Sequence, residues 1–211
     1  EGHVVIEQAG TRAKAERAVL DRRKNTLNLL GPPHPQIERQ GSHRLTAPRI
    51  SIVQQPGRPE GRERGVITGS GGPGSFAFLP REAANAPAVG RRDDIAVESK
   101  AIRIRYDHWM RYNECTTPRR AEFHKNVVAD TESYVLRSDD LEVILVDAEV
   151  AAPDGETETR TDVQRIIATG KATLHSGKRH FKAHRIVRHV PREVVTLYGN
   201  PKAGRSEEHT S

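Results

Sequence analysis

A glycine-rich loop, a spaced histidine pair, two acidic doublets and a single cysteine are the places where this 211-residue sequence could hold chemistry. Gly69-x-Gly71-x-x-Gly74 matches, letter for letter, the loop that carries a dinucleotide pyrophosphate. That loop works only between a strand and the opening turn of a helix, whose free N–H groups face the phosphates. Here Pro73 lies inside the motif and Phe76-Ala-Phe-Leu-Pro follows, which reads as another strand. His180 and His184 have the spacing of a helical metal pair. On a strand that spacing puts them ~13 Å apart, too far to share one ion. The segment around them reads as strand, so no metal site is expected. Histidines 3, 34, 43, 108, 124, 175 and 189 show no ligand spacing and are expected at the surface or in turns.

Asp93-Asp94 and Asp139-Asp140 are adjacent doublets. Neighbouring strand residues point to opposite faces, so neither doublet sets two carboxylates over one substrate. Cys115 stands alone, which rules out an internal disulfide and a thiolate zinc cluster. No Gly-x-Ser-x-Gly elbow, Walker loop or nucleophile–base arrangement is present. The reading is therefore of a chain that is not an enzyme and takes no cofactor.

What must be positioned instead is a repeated set of strands. Residues 170–201 hold three short strand candidates, divided by turns at Ser176-Gly177-Lys178 and around Pro191-Arg192. Residues 2–33 repeat them without a gap. With Gly2 on Gly170, Lys14 falls on Lys182, Ala15 on Ala183, Arg17 on Arg185 and Val19 on Val187. Leu29 then falls on Leu197, Gly31 on Gly199 and Pro33 on Pro201. A repeat that keeps its glycines, prolines and apolar positions in register is one structural unit used twice. The same register argues for strand across residues 12–24, where the density of alanine would also suit a helix. Partial copies occur at Leu45 to Ile52, at Ser99 to Asp107 and at Asn126 to Leu145.

Period-two rows run through these strands. Ile102, Ile104 and Tyr106 share one face, opposite Arg103 and Arg105. Leu141, Val143 and Leu145 form a second apolar face, against Glu142, Ile144 and Val146. Leu27 with Leu29, and Val195 with Leu197, form a third and a fourth. On periodicity alone such rows pack the core of a closed sandwich.

Three blocks carry a family resemblance: GHVVIEQAGTRAKAERAVLDRRKNTLNLLG, AEFHKNVVADTESYVLRSDDLEVILVD and RIIATGKATLHSGKRHFKAHRIVRHVPREVVTLYGNP. They resemble the repeats of the OstA/LptA family over about two-thirds of the chain. The resemblance implies an all-β, open β-jellyroll of twisted antiparallel repeat sheets. It also implies binding and transport of lipopolysaccharide in the periplasm during outer-membrane assembly, without enzymatic chemistry. On that reading Leu27, Leu29, Ile102, Ile104, Leu141, Val143, Leu145, Val195 and Leu197 line an apolar groove for lipid A acyl chains. Arg17, Arg49, Arg103 and Arg185, which recur beside the apolar rows, are the candidates to meet anionic head groups. The implied partners are lipopolysaccharide or a related anionic lipid, and similar jellyroll proteins joined head to tail by edge-strand pairing. The alternative function is an extracytoplasmic β-repeat scaffold with no lipid cargo.

Composition agrees with a flat repeat structure. Hydrophobic residues make up 35% and aromatics 4%, lean for a thick central core but sufficient where each repeat buries a face against its neighbours. A net charge of +6 favours anionic partners. Nucleic acid is the weakest of these, because four Phe, four Tyr and one Trp, scattered through the chain, offer no stacking platform. Residues 1–53 and 95–204 read as repeat strands. Residues 54–94 read as a Pro- and Gly-rich junction with short strands at Val66 and Phe76. No apolar run reaches the ~20 residues of a membrane-spanning helix. The chain opens on Glu1, and Met110 is its only methionine, as expected of an internal fragment. The closing Arg205-Ser-Glu-Glu-His-Thr-Ser resembles a translated sequencing adapter and is expected to be a non-native tail.

Overall fold

Alternating apolar and polar residues, punctuated by glycine and proline, make almost every described segment a strand. The computed structural model describes residues 3–8, 10–39, 43–54, 65–78, 101–151, 157–200 and 209–210. Among these the chain is all-β, with 17 strands and no helix, joined in one antiparallel sheet that is folded nearly closed on itself.

The sheet has two leaves, because the chain bends from one to the other at regular corners. The first seven strands are β1 (Val4–Gln8), β2 (Thr11–Ala15), β3 (Arg17–Asp21), β4 (Thr26–Leu30), β5 (Gln36–Arg39), β6 (His43–Thr46) and β7 (Arg49–Gln54). β8 (Gly65–Ser70), β9 (Gly74–Phe78), β10 (Ile102–Tyr106) and β11 (Trp109–Asn113) follow. Then come the long strands β12 (Arg119–Asp130), β13 (Val135–Ala151), β14 (Thr157–Ser176) and β15 (Arg179–His189), and finally β16 (Val194–Tyr198) and β17 (His209–Thr210). In the first leaf β1, β2, β5, β6, β9 and β10 pair in that order, and β10 pairs with the C-terminal half of β12. In the second leaf β3, β4, β7, β8 and β11 pair in order, and β11 pairs with the N-terminal half of β12.

β12 to β15 cross both leaves, and each shifts register where it bends. The backbone turns left-handed at the bends: Lys125 and Asn126 in β12 have φ of 71° and 50°, and Gly170 and Lys171 in β14 have 77° and 48°, a conformation that Asn126 and Gly170 adopt readily. At Gly170 a side chain would also run into Asp139. β8 and β9 join the strands before and after them into the one sheet. The expected loops at residues 54–64 and 80–92, and the expected strand at Ile95, lie outside the described residues, apart from Gln54, which ends β7.

The repeat holds in the backbone. β2 and β3 fall on the two halves of β15, and β4 falls on β16. Val4 pairs Ala15 as Ala172 pairs Ala183, and Arg17 pairs Leu30 as Arg185 pairs Tyr198. The turn residues Asn25 and Glu193, equivalent in the repeat, both have positive φ, 48° and 54°. Residues 12–21 thus form strands β2 and β3, as their register predicts, and residues 22–24 belong to the turn before β4, with no helix in the stretch. The glycine motif is a turn between β8 and β9 with no helix after it. Its outer glycines leave room for a buried ring, since a Cβ at Gly69 or Gly74 would collide with the Tyr106 hydroxyl. In the C-terminal tail, His209–Thr210 lies alongside β16.

Candidate functional site

One apolar cluster fills the space between the leaves. It runs from Ala13, Ala15 and Leu29 at one end, through Leu45, Phe76, Ile104 and Phe123, to Leu174 and Ile186 at the other. All nine groove candidates belong to this interior. Leu29, Ile104, Leu141, Val143 and Leu145 are buried members, while Leu27, Ile102, Val195 and Leu197 are partly buried against it. The middle is a filled core, not a trough: Ile104 and Val143 are 0% exposed. The interior loosens at the ends. At the β15–β16 end a cavity of about 300 Å³ is lined by Leu174, Phe181, Arg188, Val195 and Leu197, among others.

The four head-group candidates are not brought together. All four are exposed on outward faces. Arg17 and Arg49 share one cross-strand row on the second leaf, with Leu30 between them. Arg103 is on the first leaf, opposite Asp130. The Arg185 guanidinium lies over the Tyr198 ring, 5.4 Å from its centroid.

Three other arginines, Arg39, Arg119 and Arg188, share the parity of inward-facing apolar neighbours: Ile37, Ala121 and Ile186. They line the margin where the leaves meet opposite the corners. Arg39 at the end of β5 is ion-paired with Glu114, just past β11 on the other leaf. Arg119 reaches Asp147 at 2.9 Å and the Thr161 hydroxyl at 3.0 Å. Arg188 stacks 4.0 Å over Tyr134, which belongs to the loop between β12 and β13. The seam is therefore closed across the leaves by Arg39 against Glu114 and by Arg188 against the Tyr134 ring, while Arg119 is tied to neighbouring strands of its own leaf.

His43 also lies in this seam, and it corrects the expectation of surface histidines. It is 1% exposed, stacked on Phe76 and edge-on to Tyr112 of the opposite leaf. Burial, reinforced by the Arg39 and Arg119 charges, lowers its pKa to about 3, so the ring is neutral. Burial likewise raises the Tyr112 hydroxyl to about 12. On the outer faces, His124 bonds Asp140 and stacks on Trp109, and His175 stacks on His180 at 3.9 Å. His175 and His180 are direct cross-strand partners, a pairing that the His180/His184 spacing does not reveal.

The outward side of the second leaf is not uniformly polar. Ile144, Ile167 and Val187 form a small buried cluster there. No residue group among the described ones assembles three or more possible metal ligands.

Comparison with known protein families finds no matching family, and comparison with curated proteins finds no match. Among solved structures, the chain is similar to the crystal structure of LptH, the LptA-homologous periplasmic component of the conserved lipopolysaccharide transport device of Pseudomonas aeruginosa. The two share 14% identity over 72% of this chain and 92% of that one, with a TM-score of 0.45.

Proposed function

We propose that this chain binds the acyl part of an anionic lipid between its leaves and passes it on without covalent chemistry, lipopolysaccharide in the periplasm being the cargo that the sequence resemblance implies. The observation that carries this reading is the apolar interior: it is continuous from end to end, and it is only partly covered at the β15–β16 end. An acyl chain entering there meets Leu174, Phe181, Val195 and Leu197 and gains ~0.8 kcal/mol for each methylene taken from water. Arg188 stands beside these side chains as a cation for a phosphate or carboxylate. The filled middle requires the leaves to part before cargo can run further. The edges β1 and β3 at one end, and the N-terminal half of β15 at the other, are where similar jellyroll partners would add strands end to end.

The filled middle also favours a second reading, a β-repeat scaffold without cargo. Photo-crosslinking separates the two. A benzoylphenylalanine at Leu197 should capture lipopolysaccharide, and one at the outward Lys182 should not. Equal capture at both positions, or none at either, leaves the scaffold.

A further inference from the structure

The outer face of the first leaf carries two neighbouring cross-strand rows with opposite electrostatics. In one row, Glu7, Arg12, Glu38, Arg44, Ala77, Arg103 and Asp130, three cations are matched by three carboxylates. Arg12 is paired with Glu7 at 3.1 Å, and Arg44 with Glu38 at 3.1 Å. The next row reads Lys14, Gln36, Thr46, Ser75, Arg105, Val128, Arg137, Thr173 and Lys182 across nine strand segments. It has four cations and no carboxylate. Arg105 and Arg137 are exposed and make no ion pair among the described residues.

Those two arginines flank Val128 and line a cavity of about 440 Å³ beside the corner. Two strand spacings set their backbones ~10 Å apart, within reach of side chains that converge from both sides. Ser75, Thr46 and His34 line the same cavity. The one carboxylate in the cavity, Asp107, accepts a hydrogen bond from the Asn126 amide at 2.8 Å.

From this arrangement we infer a binding site for a phosphate group on the outside of the first leaf, clamped between Arg105 and Arg137. Two unpaired guanidiniums can each give parallel N–H donors to a tetrahedral oxyanion, which suits phosphate better than a single carboxylate. The hydroxyls of Ser75 and Thr46 supply neutral donors to the remaining oxygens. The site faces away from the apolar interior, so it stands whether or not that interior carries lipid. Its phosphate is either free in solution, as inorganic phosphate or a phosphorylated small molecule, or displayed by a lipid head group.

The test is a backbone amide NMR titration of the full chain with inorganic phosphate, against sodium chloride at equal ionic strength. It is paired with co-sedimentation on phosphatidylcholine vesicles with and without phosphatidic acid. The expected result is saturable phosphate-specific shifts at Ser75, Arg105 and Arg137, with affinity falling about tenfold in either Arg105→Gln or Arg137→Gln. Arg103→Gln, in the neutralised row, should leave affinity unchanged. Co-sedimentation that needs phosphatidic acid and both arginines assigns the phosphate to a lipid, and its absence beside saturable shifts assigns it to a soluble ligand. The site is overturned if neither assay detects binding, or if binding survives in the folded Arg105→Gln/Arg137→Gln double variant.

Discussion

The Arg39 guanidinium of one leaf is ion-paired with the Glu114 carboxylate of the other, across the margin that faces away from the corners. The Glu114 side chain is 5% exposed and that of Arg39 30% exposed, so the pair is mostly withdrawn from water. Removing one member strands the other. Glu114→Ala should destabilise the fold by roughly 2–4 kcal/mol, somewhat less than a fully buried pair because Arg39 keeps some water. The double change Arg39→Met/Glu114→Leu should recover most of that loss. Urea midpoints of the parent chain and the two variants measure it, and a double variant as unstable as Glu114→Ala would rule out charge stranding as the cause.

Beside this pair, His43 gives the fold an acid limit. Its pKa is about 3 in the folded chain against 6.5 when exposed, so below 6.5 the unfolded state binds the proton first. The stabilising effect is complete above pH 6.5 and declines as pH falls toward 3. Between pH 6.5 and pH 5 the loss from this residue should be about 2 kcal/mol. Denaturation at the two pH values measures it. The difference should shrink by that amount in His43→Phe, which keeps the stacking on Phe76 without a titrating ring.

The interior position Val143 and its outward neighbour Ile144 are both sensitive. Val143→Glu places a carboxylate in the filled middle and should unfold the chain, at a cost of several kcal/mol. Ile144→Glu should cost roughly 2 kcal/mol as well, because the outward face there holds the Ile144–Ile167–Val187 cluster. Neither change therefore separates binding from folding. Leu197→Glu does, at the partly buried end: thermal denaturation should move little, while lipid capture at neighbouring Val195 is lost. Capture that persists in this variant would count against entry at this end.

Tyr106 tests the glycine turn. Its hydroxyl is buried without a hydrogen-bond partner among the described residues, and burial raises its pKa well above the ordinary value. Tyr106→Phe should be neutral or stabilising by up to about 1 kcal/mol. Gly69→Ala, whose Cβ would meet the Tyr106 hydroxyl, should be strongly destabilising in the parent chain and clearly less so when combined with Tyr106→Phe, as read from thermal midpoints. An equal cost in both backgrounds would mean that the turn's backbone, and not the ring, demands glycine.

Much of this architecture is legible in the residues. The register that sets Ala15 on Ala183 and Leu29 on Leu197 predicts strand across residues 12–24 and fixes the same pairing at both ends. Period two correctly separates Ile104 and Val143 from Arg103 and Arg105. The seam is not legible in this way, because Arg39 and Glu114 are 75 residues apart and meet only when two leaves close. The inward arginines carried a signal all the same: Arg39, Arg119 and Arg188 stand two residues from Ile37, Ala121 and Ile186, on the apolar parity. His43 carried the same signal, two residues from Leu45. Charge and histidine chemistry suggested surface, and the alternation overrode them.

The alternating corners also bear on how the chain folds and fails. Through the first half of the chain, hairpins fall on one leaf and then the other, and each short strand pairs only with strands a few steps away in the chain, as β2 with β5, β4 with β7 and β6 with β9. Such a chain is close to one-dimensional, each rung held by the rungs beside it. Order can spread from the long β12–β15 hairpins toward the amino terminus as a moving boundary. Heat or denaturant should then fray the β1–β4 rungs first, seen as early hydrogen exchange at Val4–Asp21 while Leu141–Leu145 stays protected.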